Sequence, residues 1–138
     1  AGVAMAMTAG TARAAGSPVF LVRTTDRAEG IRRGLATLGL PAVRGKRVAI
    51  KPNFNSEDPF PASTHMDTLG ALVRQFQAAG ASEIVVADRS GMGNTREVME
   101  RKGVFTMAGQ LGFRPVVLEE TPAEGWVDER LAGGHWSS

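Results

Sequence analysis

Two short apolar runs in the chain stop at polar residues able to do chemistry. One ends Ile50-Lys51-Pro52-Asn53, and the other ends Ala87-Asp88-Arg89-Ser90-Gly91-Met92-Gly93. An amine and a carboxylate placed together can hold an anion, move a proton or ligate a metal. Thr64 and His65 lie between the two runs, and an imidazole can carry a proton near neutral pH. Gly91 and Gly93 come just before the start of a helical pattern, where free backbone N–H groups and the helix dipole favour an anion. These residues suggest Asp88 as base or metal ligand, His65 as proton carrier and Lys51 as holder of an anion. Asn53, Thr64, Ser90, Gly91 and Gly93 are the expected ligand-binding positions.

Each residue also has a plainer use. Lys51 can snorkel from a strand end, and Asn53 can bond its own turn. His65 can be an ordinary surface residue, and Asp88 can cap or pair with Arg89. Ser90 and Thr95 can serve turns and caps, and Glu57 and Asp58 read as solvated loop charges. The standard signatures fail. Gly91-Met92-Gly93 is followed by Arg96 where a dinucleotide fingerprint needs a small residue. Gly45-Lys46 precedes an apolar run instead of following one, so it is no phosphate loop. His65, His135 and Asp88 could share a metal, but their spacing does not demand one.

The elements that must position these residues alternate along the chain. Pro18–Val22, Arg47–Lys51, Ile84–Ala87 and Pro115–Leu118 read as short buried strands. Between them run helical patterns. Asp26 with Glu29 starts the first, Ile31, Leu35 and Leu38 form its stripe, and Gly39 ends it. Thr64 with Asp67 is the expected capping box of the second, with Met66, Leu69, Val73 and Phe76 as its apolar stripe and Ala79-Gly80 closing it. Asn94 with Glu97 opens a third that runs to Lys102, and a short one spans Phe105–Leu111. Such alternation implies an α/β fold: an open, mostly parallel, Rossmann-like three-layer sheet with helices on both faces. In such sheets ligands bind beyond the carboxyl ends of the strands, which is where the chosen residues fall. The proline-rich loop from Asn53 to Ser63 is long enough to suggest a role of its own.

Composition narrows the classes. The 138 residues are 43% hydrophobic and 22% charged, which excludes wholesale disorder and makes one domain the default. No apolar run is long enough to span a bilayer. There is no cysteine, so this segment holds neither a disulfide nor a cysteine-bound iron–sulfur cluster. The net charge of +2 comes from scattered basic residues without interleaved aromatic platforms, so nucleic acid is not the expected partner. Residues 1–16 are small and acid-free and contain Ala12-Arg13-Ala14, reading as the remnant of an export leader or as a disordered terminus. With a leader, the domain of residues 17–138 is exported; without one, it is cytoplasmic. The closing Leu131–Ser138 stretch has little to pack on, so the chain is expected to continue.

Val48-Ala49-Ile50-Lys51-Pro52-Asn53-Phe54, Ser63-Thr64-His65 and Gly80–Gly91, followed by Thr95 and His135-Trp136, resemble the domain-of-unknown-function 362 family. The resemblance implies that this chain corresponds to the amino-terminal half of a bacterial or archaeal protein. Many such proteins carry a twin-arginine leader, and some carry ferredoxin-like modules. Lys51, Asn53, Thr64, His65, Asp88 and Ser90 match the family's motif positions, but the family's reaction is not established. Two expectations follow: a domain binding a small anionic molecule, with or without a divalent metal, or an accessory domain of an exported iron–sulfur protein whose clusters lie elsewhere.

Overall fold

The computed structural model of the chain describes residues 19–40 and 42–128. They form α1 (Arg27–Leu38), β1 (Arg47–Ile50), α2 (Met66–Ala78), β2 (Glu83–Asp88), α3 (Thr95–Arg101), α4 (Val104–Leu111) and β3 (Arg114–Val117). Two short 3-10 turns follow, at Leu118–Glu120 and Ala123–Gly125. The leader-like residues 1–16 and the pair His135-Trp136 lie outside the described residues.

The strands make one open parallel sheet in the order β1-β2-β3. Val48 pairs with Ile84 and Ile50 with Val86, while Val86 pairs with Pro115 and Asp88 with Val117 on the other side. Side chains alternate across a strand, so this register places Val48, Ile50, Ile84, Val86 and Val117 on one face. That face carries the core. Leu69 and Val73 of α2, Val98 and Met99 of α3, and Val104 and Ala108 of α4 complete it, with Phe54 and Phe113 from the loops. Fully burying each large apolar side chain contributes about 1.5–3 kcal/mol. α1 has no buried residue and packs on α2, so it adds little. On the opposite face Val85, Ala87 and Val116 are only half-buried and Ala49 is exposed. The α/β class and the open parallel sheet are as the alternation implies, while among the described residues the helices gather on the Val86 face.

Most boundaries follow local chemistry. Asp26 accepts the Glu29 N–H at 3.0 Å and caps α1, and Asn94 accepts the Glu97 N–H at 3.0 Å and caps α3. Gly39 ends α1 at φ 85°, a conformation that side chains with a Cβ avoid. The Arg44-Gly45-Lys46 stretch is a turn, tied down by the Gly45 N–H to the Gly80 carbonyl at 2.8 Å. The last strand stops at Val117, and Leu118 begins a 3-10 turn.

Two expectations are corrected. Residues 19–22 are not a strand of the sheet. Phe20 and Val22 lie against Gly34 and Gly30 of α1, while Val19 and Leu21 are 92% and 93% exposed. The run spends its apolar side chains on a helix, leaving its backbone outside the ladder. Nor does Thr64 cap α2: the N-cap is His65, whose Nδ1 accepts the Asp67 N–H at 3.1 Å. The Thr64 hydroxyl is turned to the loop, where it accepts the Asn53 N–H at 2.8 Å.

Candidate functional site

The carboxyl end of β2 is built around a buried charge. Asp88 is fully buried, because its alternating position follows Ile84 and Val86 onto the core face. A carboxylate there needs partners, and it has three. Its Oδ1 accepts from the Lys51 ammonium and from the Arg89 N–H at 2.8 Å, and its Oδ2 accepts the Phe54 N–H at 2.7 Å. Lys51 reaches it from the end of β1, next to β2 in the sheet, and also donates to the Pro52 carbonyl at 2.7 Å. The lysine side chain is 62% exposed, so the pair has one wet end and one dry end.

Ser90 works beside Asp88. Its hydroxyl donates to the Phe54 carbonyl at 2.6 Å, and the Asn55 carbonyl also lies within reach at 2.9 Å. The loop after β1 is thus fastened to the end of β2 through its backbone. Phe54, between the two fastenings, is fully buried in the core. At Gly91 the two segments come so close that a Cβ there would displace the exposed Asn55 side-chain amide. The loop has further straps: Ser63 Oγ donates to the Ser56 carbonyl at 2.8 Å, Arg101 pairs with Glu57, and Lys102 Nζ donates to the Asp58 carbonyl at 3.0 Å. The hydrogen bond to Glu57 raises the pKa of Arg101 above the usual arginine range.

The helix start beyond Gly93 is already occupied. The Thr95 N–H donates to Glu119 Oε1 at 2.9 Å, and the Thr95 hydroxyl accepts the Ser90 N–H at 2.8 Å. Arg96 grips Glu120 with Nε to Oε1 at 2.7 Å. That hydrogen bond holds the exposed Glu120 carboxyl below its ordinary range. At this helix start the Thr95 N–H meets a carboxylate from the chain's own 3-10 turn.

Thr64 and His65 sit at a separate depression of about 250 Å³, lined also by Glu57, Pro59, Phe60, Met66 and Lys102. Phe60 is held there by Arg27, whose guanidinium carbon lies 4.4 Å from the ring centroid, and by an edge contact with His65 at 6.3 Å. Burial pulls the Lys102 ammonium below the usual lysine range, with the Asp58 charge opposing that shift. A second depression of about 280 Å³ lies between Ser56–Asp58 and the Met92–Arg101 side of α3. An apolar groove of about 410 Å³ between α1 and α2 is lined by neither Lys51, Asp88 nor His65.

The structure therefore joins Lys51 to Asp88 directly, ties Asn53 to Thr64, and uses Ser90 and Gly91 to seat the loop. Both oxygens of Asp88 carry donors, which suits it to positioning. His65 keeps its Nε2 edge free of its capping bond, so a neutral ring carries its proton on that nitrogen. Among the described residues no three His, Asp or Glu side chains gather in metal-binding range, and His135 lies outside them. Every buried side-chain nitrogen or oxygen described has a partner. Sequence reasoning missed Phe54, Lys102 and Glu119. A lone large apolar residue inside a polar loop was the available signal for Phe54; no local signal marks the other two.

A family model described as "Domain of unknown function (DUF362)" matches residues 48–137. No curated protein and no solved structure matches the chain. The matched span runs from Val48 in β1 through β2 and β3 and includes every residue of the site above except Arg27.

Proposed function

Because the chain belongs to the DUF362 family, whose activity its description leaves open, we propose from the geometry that it binds a small anionic ligand beyond the carboxyl ends of its parallel strands. The observation that carries this reading is the Lys51–Asp88 pair. A buried, fully hydrogen-bonded carboxylate holds a solvent-facing ammonium at the junction of β1 and β2. An arrangement of that kind fixes a cation's position without removing it from solvent, which suits it to a ligand carrying negative charge. Lys51 is the cation of this edge, Thr64 and His65 are donors at a separate depression, and His65 is placed to pass a proton if the bound molecule reacts. A divalent metal would have to be brought largely by the ligand, with Asp88 already committed to three donors.

The test is a thermal-shift panel of carboxylated and phosphorylated small molecules, each paired with its neutral amide or alcohol. Anions are expected to raise the melting temperature and their neutral counterparts to leave it unchanged. A panel in which no anion stabilises the protein overturns the reading. The accessory-domain alternative is separated by the coding sequence on either side of this segment, where cysteines at ferredoxin spacing would support it.

A further inference from the structure

We propose that the depression lined by Thr64, His65, Phe60, Met66 and Lys102 is where the anion sits, and that it accepts the carboxylate of a small organic acid with an apolar or aromatic body. This rests on the reading of the strand ends as an anion-binding edge, and adds a place, a principal charge and a ligand class.

Lys51 shares its charge with the buried Asp88, whereas Lys102 has no carboxylate within ion-pair distance among the described residues. Its ammonium donates to the Asp58 carbonyl, lies 5.5 Å from the Phe54 ring centroid, and has two further hydrogens to donate. Thr64 Oγ1 accepts the Asn53 N–H, leaving its own hydrogen to donate. His65 Nδ1 accepts the Asp67 N–H, leaving Nε2–H. Lys102, Thr64 and His65 therefore bring three donors to the lining of one cavity of about 250 Å³.

The acids nearby are engaged elsewhere. Glu57, which also lines the cavity, is paired with Arg101, and the Asp58 carboxylate accepts from Ser56 Oγ at 2.7 Å. What remains is a set of three donors and one carboxylate, Glu57, whose charge is offset by Arg101, beside the apolar surfaces of Phe60, Pro59 and Met66.

Those surfaces choose between anions. One lysine supplies a single positive charge, which balances a monoanion, and apolar walls disfavour a doubly charged phosphate. The Phe60 ring, fixed by Arg27 and His65, offers a flat face to an aromatic or short aliphatic skeleton.

The experiment is an amide NMR titration of the full chain with benzoate, and separately with inorganic phosphate. Benzoate is expected to shift the Thr64, His65 and Lys102 amides, and Lys102→Gln to weaken it at least tenfold. Lys102→Arg should retain most of the affinity, and Lys51→Gln should weaken it by about threefold or less. Preserved spectral dispersion shows that each variant is folded, and the arginine variant keeps the charge question open should the glutamine one unfold. Undiminished benzoate binding by Lys102→Gln overturns the inference, as does phosphate binding without benzoate binding; in both cases an anion-binding edge survives. If neither anion binds at millimolar concentration, the inference and the reading beneath it fall together.

Discussion

Asp88 and Ser90 hold the two ends of one residue's backbone: Asp88 Oδ2 accepts the Phe54 N–H at 2.7 Å, and Ser90 Oγ donates to the Phe54 carbonyl at 2.6 Å. A strand end and a distant loop are joined by charge and by hydroxyl at a single point. The Phe54 side chain goes into the core there, so loop placement and core packing are coupled.

That coupling predicts unequal costs within the ion pair. Asp88→Ala removes the acceptor of two backbone N–H groups and an ammonium, and should lower the unfolding free energy by about 3 kcal/mol. Lys51→Ala leaves Asp88 its two backbone donors and frees a side chain that is largely exposed, so about 1 kcal/mol is expected. Urea unfolding of the two variants checks the order. Equal losses would show that the pair, and not the backbone bonds, dominates.

Phe54→Ala should be among the most damaging single changes in the loop. It empties a fully buried position and is expected to cost about 3–5 kcal/mol. Ser90→Ala, which removes one hydrogen bond, should cost about 1 kcal/mol. The same unfolding series measures both.

Lys102 makes a prediction in pH. Its folded pKa is lowered by burial, so the fold disfavours its charged form, and this penalty is complete below the folded value. It disappears as pH rises from that value towards the ordinary lysine value of 10.5. Removing the charge with Lys102→Met should therefore help stability more at pH 7 than at pH 10.5. Thermal unfolding of both proteins at the two pH values tests the sign, and an advantage that grows with pH would contradict it.

Glu120 has the opposite sense. Its folded pKa is depressed by Arg96, so its tie to α3 holds above the ordinary carboxyl range and is lost as pH falls through the folded value. Arg96→Gln should abolish that acid-dependent step, seen as a flatter stability profile below about pH 4.5 in matched unfolding scans.

Val19→Ser and Leu21→Ser should change stability by no more than about 0.5 kcal/mol, as both side chains are exposed. A buried strand would lose several times that, so denaturation of these variants separates the two descriptions of residues 19–22.

The helices and the three paired strands were legible because their signals are local. Asp26, Asn94 and Gly39 act within one turn of themselves, and Ile84–Ala87 is a continuous apolar run that ends at polar residues. The 19–22 run carries the same composition but finds a helix instead of a ladder, a choice made by tertiary contact. Strand-end reasoning found Lys51 and Asp88 because a parallel register brings neighbouring strand ends together. It could not find that Lys102 reaches the loop carrying Asp58, since that contact crosses 44 positions of sequence. Thr64 illustrates a nearer limit: its spacing to Asp67 fits a cap, yet the hydroxyl has a better partner eleven positions earlier.

The Glu119 carboxylate on the Thr95 N–H is a tethered competitor. A group attached to the same chain acts at an effective concentration on the order of millimolar or higher, regardless of dilution. Dissolved phosphate or sulfate must exceed that level to displace it, so the start of α3 is buffered against the salts of its surroundings.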